Sequence, residues 1–486
     1  MSISVDDPTT AAPKDLLIGG AWRPGSRPDR IDVVDPATEE VIGTVADASA
    51  EDALAAVDAA AKSLDAWAAQ APRHRSDVLM RAFALMTQRR EHLAELIVRE
   101  NGKALADARG EVAYAAEFFR WYAEEAVRSA GSVQTAPSGA NKIVVLRQPI
   151  GVCVLVTPWN FPAAMATRKI GPALAAGCTV VLKPATATPL TALAIVALLE
   201  EAGVPAGVVN VVTSSTSGEV VKAMVDDPRV RKLSFTGSTE VGRTLLSVAA
   251  NSVVDCSMEL GGNAPFIVLA DADLDAAVSG AMVAKMRNAG EACTAANRFY
   301  VHARIAAEFS TRLTAAMAAL RVGPGLDPGT DVGPLVNAPT RDKVDELVTA
   351  SVDGGARLLT GGSRPSGRGF FYPPTVLSSV APESAILHEE IFGPVAPIVE
   401  FDDVDDAIRM ANDTEYGLVS YLYTANLGTA MSVAERLDAG MIGINRGLVS
   451  DPAAPFGGMK QSGVGREGGH EGMLEYLESK YVAVAW

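Results

Sequence analysis

From Lys142 onward, short β-branched runs alternate with helical stretches, and this alternation restricts the possible folds more than any other feature of the chain. The runs are Ile143 to Leu146, Val152 to Val156, Thr179 to Leu182, Val208 to Val212 and Leu233 to Phe235, with helical spacing at Leu190 to Ala202 and Val220 to Val225. Strands separated by crossover helices predict a parallel sheet covered on both faces, as in a Rossmann-like dinucleotide-binding fold. A second α/β series follows Gly261: strand Phe266 to Leu269, helix Leu274 to Met286, strand Arg298 to Val301 and helix Ala306 to Leu320. Ahead of both, Asp52 to Gly102 and Glu111 to Ala130 read as a helical layer. A chain of 486 residues exceeds what one core holds, so two large domains are expected. The apolar end, Tyr481 to Trp486, would fray unless it pairs with a sheet edge, for which another subunit is one source.

The formal charge of -16, with no dense Lys/Arg run, argues against a nucleic-acid partner. Met1 to Asp15 contains no apolar core of a secretory leader, and no run of about eighteen apolar residues suggests a membrane span. Cys153, Cys178, Cys256 and Cys293 stand far apart without C-x-x-C spacing, which fits a reducing cytoplasm. None of His74, His92, His302, His388 and His470 falls at metal-ligand spacing, so no metal is expected.

Three local patterns carry chemistry. In Asn288-Ala289-Gly290-Glu291-Ala292-Cys293 a thiol follows a helix and a glycine, where a turn presents side chains to a cleft. Taken alone, burial as a small hydrophobe is the commoner fate of a free cysteine. In Met258-Glu259-Leu260-Gly261-Gly262 a carboxylate closes a strand, where α/β sheets place catalytic groups; an ordinary counter-ion would read the same way. Phe235-Thr236-Gly237-Ser238-Thr239-Glu240-Val241-Gly242 carries a strand into a helix with spaced glycines, suited to a pyrophosphate on backbone N–H groups, but it lacks the full dinucleotide fingerprint.

Together these segments resemble the aldehyde dehydrogenase superfamily, over nearly the whole chain from Leu17-Ile18-Gly19-Gly20 onward. Pro158-Trp159-Asn160-Phe161-Pro162, Lys183-Pro184-Ala185, Glu389 to Pro394 and Pro455-Phe456-Gly457-Gly458 complete the ordered set. The resemblance implies a Rossmann-like cofactor domain (1–128 and 148–260), an α/β catalytic domain (261–460) and a small β oligomerisation arm (129–147 and 470–486), assembled as a homodimer or homotetramer. It implies that Cys293 attacks an aldehyde, that the Asn160 amide and the Cys293 N–H hold the oxyanion, and that Glu259 activates the water that releases the acyl group. Lys183 belongs to this catalytic set and also to the cofactor contacts, with Trp159, Thr186, Gly237, Ser238 and Gly242. Glu390 is expected at the nicotinamide ribose and Phe392 against its ring.

Two departures stand out. Thr186 replaces a glutamate that binds the adenosine ribose in NAD-preferring relatives, which favours NADP over NAD as cofactor, and Ser214 replaces a common glycine. Within the superfamily the chain is most similar to succinate-semialdehyde dehydrogenases, in Phe161 to Lys169, Lys285 to Asn288, Gly447 to Ser450 and Pro455 to Glu467. That branch implies that Arg168, Arg287 and Ser450 grip a substrate carboxylate, with Phe456 beside them; a guanidinium suits such an anion through paired hydrogen bonds. Away from the resemblance, both arginines read as ordinary surface or helix-end charges. Arg446 is unusual for the branch, and would either add a third cation or block the pocket. Glutarate semialdehyde is the alternative substrate. A cysteine-dependent ester hydrolase and a non-catalytic binding protein are the rival classes, and neither explains the retained phosphate turn together with Cys293 and Glu259.

Overall fold

The structure, a computed structural model, describes residues 7–485, so Trp486 and the first six residues of the supposed leaderless start lie outside it. Two large sheets dominate. In the eight-stranded sheet the central strands run Val209–Val211, Thr179–Lys183, Val152–Val156, Val230–Thr236 and Asp255–Glu259, all parallel. These runs are apolar throughout because both faces are covered. Cys153, Leu155, Val180 and Leu182 pack towards the early helices, while Val152, Val154, Val156 and Val181 pack on the other face against Ala53, Val57, Val221 and Leu245. The sheet edges are antiparallel additions that the alternation did not signal: Leu16–Ile18 joins at Val211, and Gly463–Val464 joins at Met258 and Glu259.

The helical layer on the first of these faces consists of Pro72–Gln88, Arg90–Asn101 and Leu105–Glu125, whereas Ala50–Ala68 covers the other face of the sheet. Beneath it lies helix Pro162–Ala176, buried at every position. A wholly buried helix that carries Arg168 and Lys169 must supply counter-charge from elsewhere in the chain, and Glu467 does so, 2.6 Å from Arg168 Nε and 2.5 Å from Lys169 Nζ.

The seven-stranded sheet runs Arg357–Thr360, Thr375–Ser378, Val395–Phe401, Ala296–His302, Ala264–Val268, Val419–Tyr423 and Met441–Ile444. All neighbours are parallel except the first pair. A third sheet holds Ser132–Thr135, Lys142–Pro149 and Leu477–Val484, all antiparallel. The run at Ile143 to Leu146 therefore does not join the parallel series. Only Ile150 and Gly151 separate its strand from Val152, too few residues for a crossover. Of the apolar end, Tyr481 to Val484 belong to strand Leu477–Val484, which pairs with Lys142–Pro149 of the same chain, from Leu477 opposite Pro149 to Val484 opposite Lys142.

Candidate active site

Chain order in the first sheet reverses between Val152–Val156 and Val230–Thr236. Ligands of open α/β sheets bind at such a switch point, beyond the carboxyl ends of the strands. A cavity of about 350 Å³ opens there, lined by Pro158, Trp159 and Asn160 after one strand and Thr236, Gly237 and Ser238 after the other. Ser238 caps helix Thr239–Ala250, its Oγ accepting from the Val241 N–H at 3.4 Å, so the positive end of the helix faces the cavity. Glu390 and Phe392 close the far side from the loop before Val395–Phe401, and the rings of Phe392 and Trp159 meet edge to face at 5.6 Å. Gly242 is not among the residues that line this cavity; a Cβ there would lie 2.4 Å from the Leu260 side chain, which does, so the glycine lets helix and strand pack closely behind it.

Cys293 lies on the floor of this cavity. The chain reaches it through three consecutive left-handed residues, Asn288 and Ala289 at φ 53° and Gly290 at φ 78°. Such backbone in non-glycine residues costs on the order of 1 to 3 kcal/mol each and persists only where neighbours over-determine it. They do so here. The Asn288 N–H donates to Asp107 at 2.8 Å, and its Nδ2 donates to the carbonyls of Asn160 at 2.9 Å and Glu291 at 3.0 Å. Asn160 Nδ2 donates to the Glu291 carbonyl at 3.1 Å, which leaves its second amide hydrogen for the cavity. Lys103 Nζ, fully buried, donates to Glu111 at 2.5 Å and to the Asn160 carbonyl at 2.7 Å.

The same thiol also borders a second cavity, of only about 20 Å³, on the opposite side of the loop. Its walls bring together Arg168, Arg287, Ser450 and Phe456, the four residues expected at the substrate carboxylate. Arg168 is held from one side by Glu467 and stacks 4.2 Å over the Phe456 ring. Arg287 lies 5.1 Å over the Phe161 ring and makes a long contact of 3.4 Å to Thr294 Oγ1. Arg287 forms no salt bridge with a described carboxylate; its nearest counter-charge is Asp107, whose carboxyl burial raises and the guanidinium pulls down, so the polar edge of Arg287 is left for the small cavity. Arg446 neither adds to this cavity nor blocks it. It is exposed, its Nε donates to the Leu448 carbonyl at 2.6 Å, and it lines a separate space of about 410 Å³ along Met441–Ile444.

Residues 22–482 match the aldehyde dehydrogenase family. The chain belongs to that family. It is 55% identical over 445 residues to a succinate-semialdehyde dehydrogenase of Paenarthrobacter nicotinovorans, covering 92% of this chain and 99% of that one. It is 49% identical to a glutarate-semialdehyde dehydrogenase of Pseudomonas putida, covering 96% and 97%. The crystal structure of an E. coli NADP dependent enzyme superposes with a TM-score of 0.97 at 46% identity, covering 98% and 99%.

In this aldehyde dehydrogenase, burial pushes the Cys293 thiol up to about 12; Arg168 and Arg287 pull it down while Glu390 and Glu259 push it further up. With the thiol raised in this way, attack requires that a base take its proton. Glu259 ends its strand opposite Thr236, yet it lines neither cavity. Its carboxylate oxygens have no hydrogen-bond partner, and one would lie 2.9 Å from a Cβ at Gly457. Burial, and then the charge of Glu467, raise it well above the ordinary carboxylate range. Burial likewise raises Glu390 to about 7, against the Gly262 N–H that donates to it at 3.1 Å.

Lys183 and Thr186 stand at one end of the cleft region without lining the cavity itself. Lys183 Nζ is hydrogen-bonded to Ser217 Oγ, and burial lowers the ammonium to about 8 with no carboxylate nearby. Thr186 Oγ1 donates to the Ser214 carbonyl at 3.1 Å, and Ser217 Oγ donates to the same atom at 3.2 Å. Ser214 itself is buried, its hydroxyl donating to the Ala48 carbonyl at 2.9 Å. Serine at that position anchors the turn through its side chain.

Sequence reasoning missed Lys103, Asp107, Glu111, Tyr114 and Glu467. The first four share one face of a helix or its approach at spacings of three and four residues, a signal that was present but resembled an ordinary amphipathic helix. Glu467 had no local signal.

Proposed function

We propose that this aldehyde dehydrogenase oxidises succinate semialdehyde to succinate, with NADP favoured over NAD. The observation that carries this reading is the position of Cys293 on a wall shared by the switch-point cleft and a small cavity holding an unpaired guanidinium. A short chain with an aldehyde at one end and a carboxylate at the other spans that distance.

The residues of the cleft fit a dinucleotide. The Gly237-Ser238 turn at the helix N-terminus suits the pyrophosphate, Trp159 and Phe392 offer ring faces, and Glu390 offers a carboxylate to a ribose hydroxyl. Thr236 Oγ1 is buried there without a partner, a polar atom left for a ligand. Lys183, with only Ser217 and no carboxylate beside it, favours a 2′-phosphate, and Thr186 presents no charge against one.

Cys293 Sγ passes its proton to the ionised Glu259, which releases it to solvent, and bonds to the aldehyde carbon, while the free hydrogen of Asn160 Nδ2 and the Cys293 N–H meet the resulting oxyanion. Preorganised donors of this kind are typically worth about 2.7 to 4 kcal/mol each. The nicotinamide, when bound, accepts the hydride that converts the thiohemiacetal to a thioester. Glu259, once ionised, takes a proton from the water that cleaves the thioester, releasing the acid and restoring the thiol. Arg287 and Arg168 hold the far carboxylate throughout, with Ser450 and the Phe456 ring fixing its approach.

Glutarate semialdehyde is the second reading, supported by the Pseudomonas putida relative. One methylene is typically worth only about 1 to 3 kcal/mol of discrimination. The unpaired edges of Ser132–Thr135 and Met441–Ile444 support assembly as a homodimer or homotetramer through the β arm. A cytoplasmic site of action is consistent with four unpaired cysteines. Reduced-nicotinamide absorbance with succinate semialdehyde, glutarate semialdehyde and butanal, each with NADP and NAD, tests the proposal. Succinate semialdehyde with NADP should give the highest kcat/KM and Cys293→Ala none; equal rates for butanal would remove the carboxylate clamp from the mechanism.

A further inference from the structure

Tyr114 lies on helix Leu105–Glu125 and forms part of the wall of the small cavity beside Cys293, facing Arg168, Arg287 and Ser450. Its ring is held edge to face against Phe118 at 4.9 Å, an i,i+4 contact that leaves the phenol little freedom. Its oxygen is sealed from solvent, Arg168 is its only polar neighbour of note and can only donate to it, and the phenolic hydrogen has no acceptor among the described residues. An orphaned buried hydroxyl is costly, and native proteins keep one where something else satisfies it.

The neighbours define what that missing partner must be. Both guanidiniums only donate, so neither gives the phenolic hydrogen an acceptor. Thr294 Oγ1 accepts from Arg287, and its main-chain carbonyl is taken by Tyr421 Oη at 2.8 Å. Burial raises the Tyr114 hydroxyl above its ordinary range despite the pull of Arg168 and Arg287, so the phenol keeps its proton and remains a donor. The cavity thus gathers two guanidiniums, the phenol and the Ser450 hydroxyl around a space of about 20 Å³, scarcely more than a water-sized group, with no carboxylate among the residues that line it for them to converge on.

We infer that Tyr114 is a specificity-determining residue whose hydroxyl donates a hydrogen bond to the substrate's distal carboxylate, completing the clamp of Arg168, Arg287 and Ser450. The inference rests on the proposed semialdehyde substrate and deepens it. The hydroxyl distinguishes a carboxylate from an uncharged alkyl end, because only the anion satisfies it. Discrimination of this kind, from a site built around buried donors, exceeds what a hydrophobic wall provides.

The test is Tyr114→Phe, which keeps the ring and its packing, assayed with succinate semialdehyde and with butanal, beside Arg287→Ala and the wild type. The expected result is a KM for the semialdehyde raised roughly tenfold or more, in the range of a hydrogen bond to a charged group, with kcat within about twofold and butanal kinetics unchanged. Thermal stability should hold or rise, since the variant removes an unsatisfied hydroxyl. Equal changes for both aldehydes, or no change for either, would overturn the role of Tyr114 provided Arg287→Ala still impairs the semialdehyde selectively. If Arg287→Ala also fails to discriminate, the carboxylate clamp itself is wrong, and the inference falls with it.

Discussion

The buried pair Lys103–Glu111 offers the sharpest separation of positioning from stability. Both side chains are 0% exposed, and Lys103 Nζ also donates to the carbonyl of Asn160 while lying 4.2 Å over the Phe161 ring. Lys103→Met leaves Glu111 as an unpaired buried carboxylate, a loss of about 3 to 5 kcal/mol. For a chain of this length the unfolding entropy is roughly 1 kcal/mol per kelvin, so Tm should fall by about 3 to 5 °C. The same variant frees the Asn160 peptide, and misplacing one oxyanion donor reduces kcat by about two orders of magnitude. In Lys103→Met/Glu111→Gln the stranded charge is gone, while the glutamine oxygen still accepts from the N–H groups of Ala163 and Ala164, which Glu111 now caps at 2.8 and 3.3 Å. That double variant should regain most of the Tm and little of the kcat. Thermal denaturation and steady-state rates on the same preparations decide the matter. A single variant with wild-type kcat, or a double variant that recovers kcat together with Tm, would refute the positioning argument.

Two further variants probe the cofactor side and the thiol loop. Thr186→Glu places a carboxylate beside Lys183 and should lower kcat/KM with NADP by about tenfold or more while sparing NAD, read from initial rates with each; unchanged NADP kinetics would disprove the 2′-phosphate site. Glu291 is a buried carboxyl raised by burial to about 8, accepting from the Val336 N–H at 2.9 Å. A carboxyl whose folded pKa is raised holds its proton longer in the native state, so its contribution to stability falls as pH climbs from its unfolded value towards about 8. Glu291→Gln keeps the acceptor and removes the titration, so the Tm gain over wild type should be larger at pH 8.5 than at pH 5, and a gain independent of pH would sink this account.

Much of the fold was legible because its signals are local. Runs such as Val152–Val156 and Thr179–Lys183 are short, β-branched and bounded by turns, and helix Leu274–Met286 occurs with the bounds expected from its spacing. Alternation alone grouped Ile143 to Leu146 with the parallel series, whereas the family resemblance put 129–147 in a separate β arm; strand propensity carries no information about pairing, and the short link to Val152 rules out the parallel placement. Local patterns also drew attention to Cys293, Asn160 and the Gly237-Ser238 turn, which line the cleft, and to Gly242, which does not line it and packs against Leu260, a distinction that spacing cannot make.

What the amino-acid order determined by itself was the inventory: a nucleophile on a turn, a strand-to-helix junction fit for phosphate, and arginines near the thiol. Tertiary structure decided the chemistry of those groups. Glu467, 298 positions beyond Lys169, settles how the buried helix carries its two charges, and Arg287 is left without such a partner. The hydroxyl hydrogen at Tyr114 lacks an acceptor because the fold places guanidiniums beside it. Burial and partnering are properties of neighbours in space, and they set a group's free energy by several kcal/mol on the scale of buried charges, which no local pattern encodes.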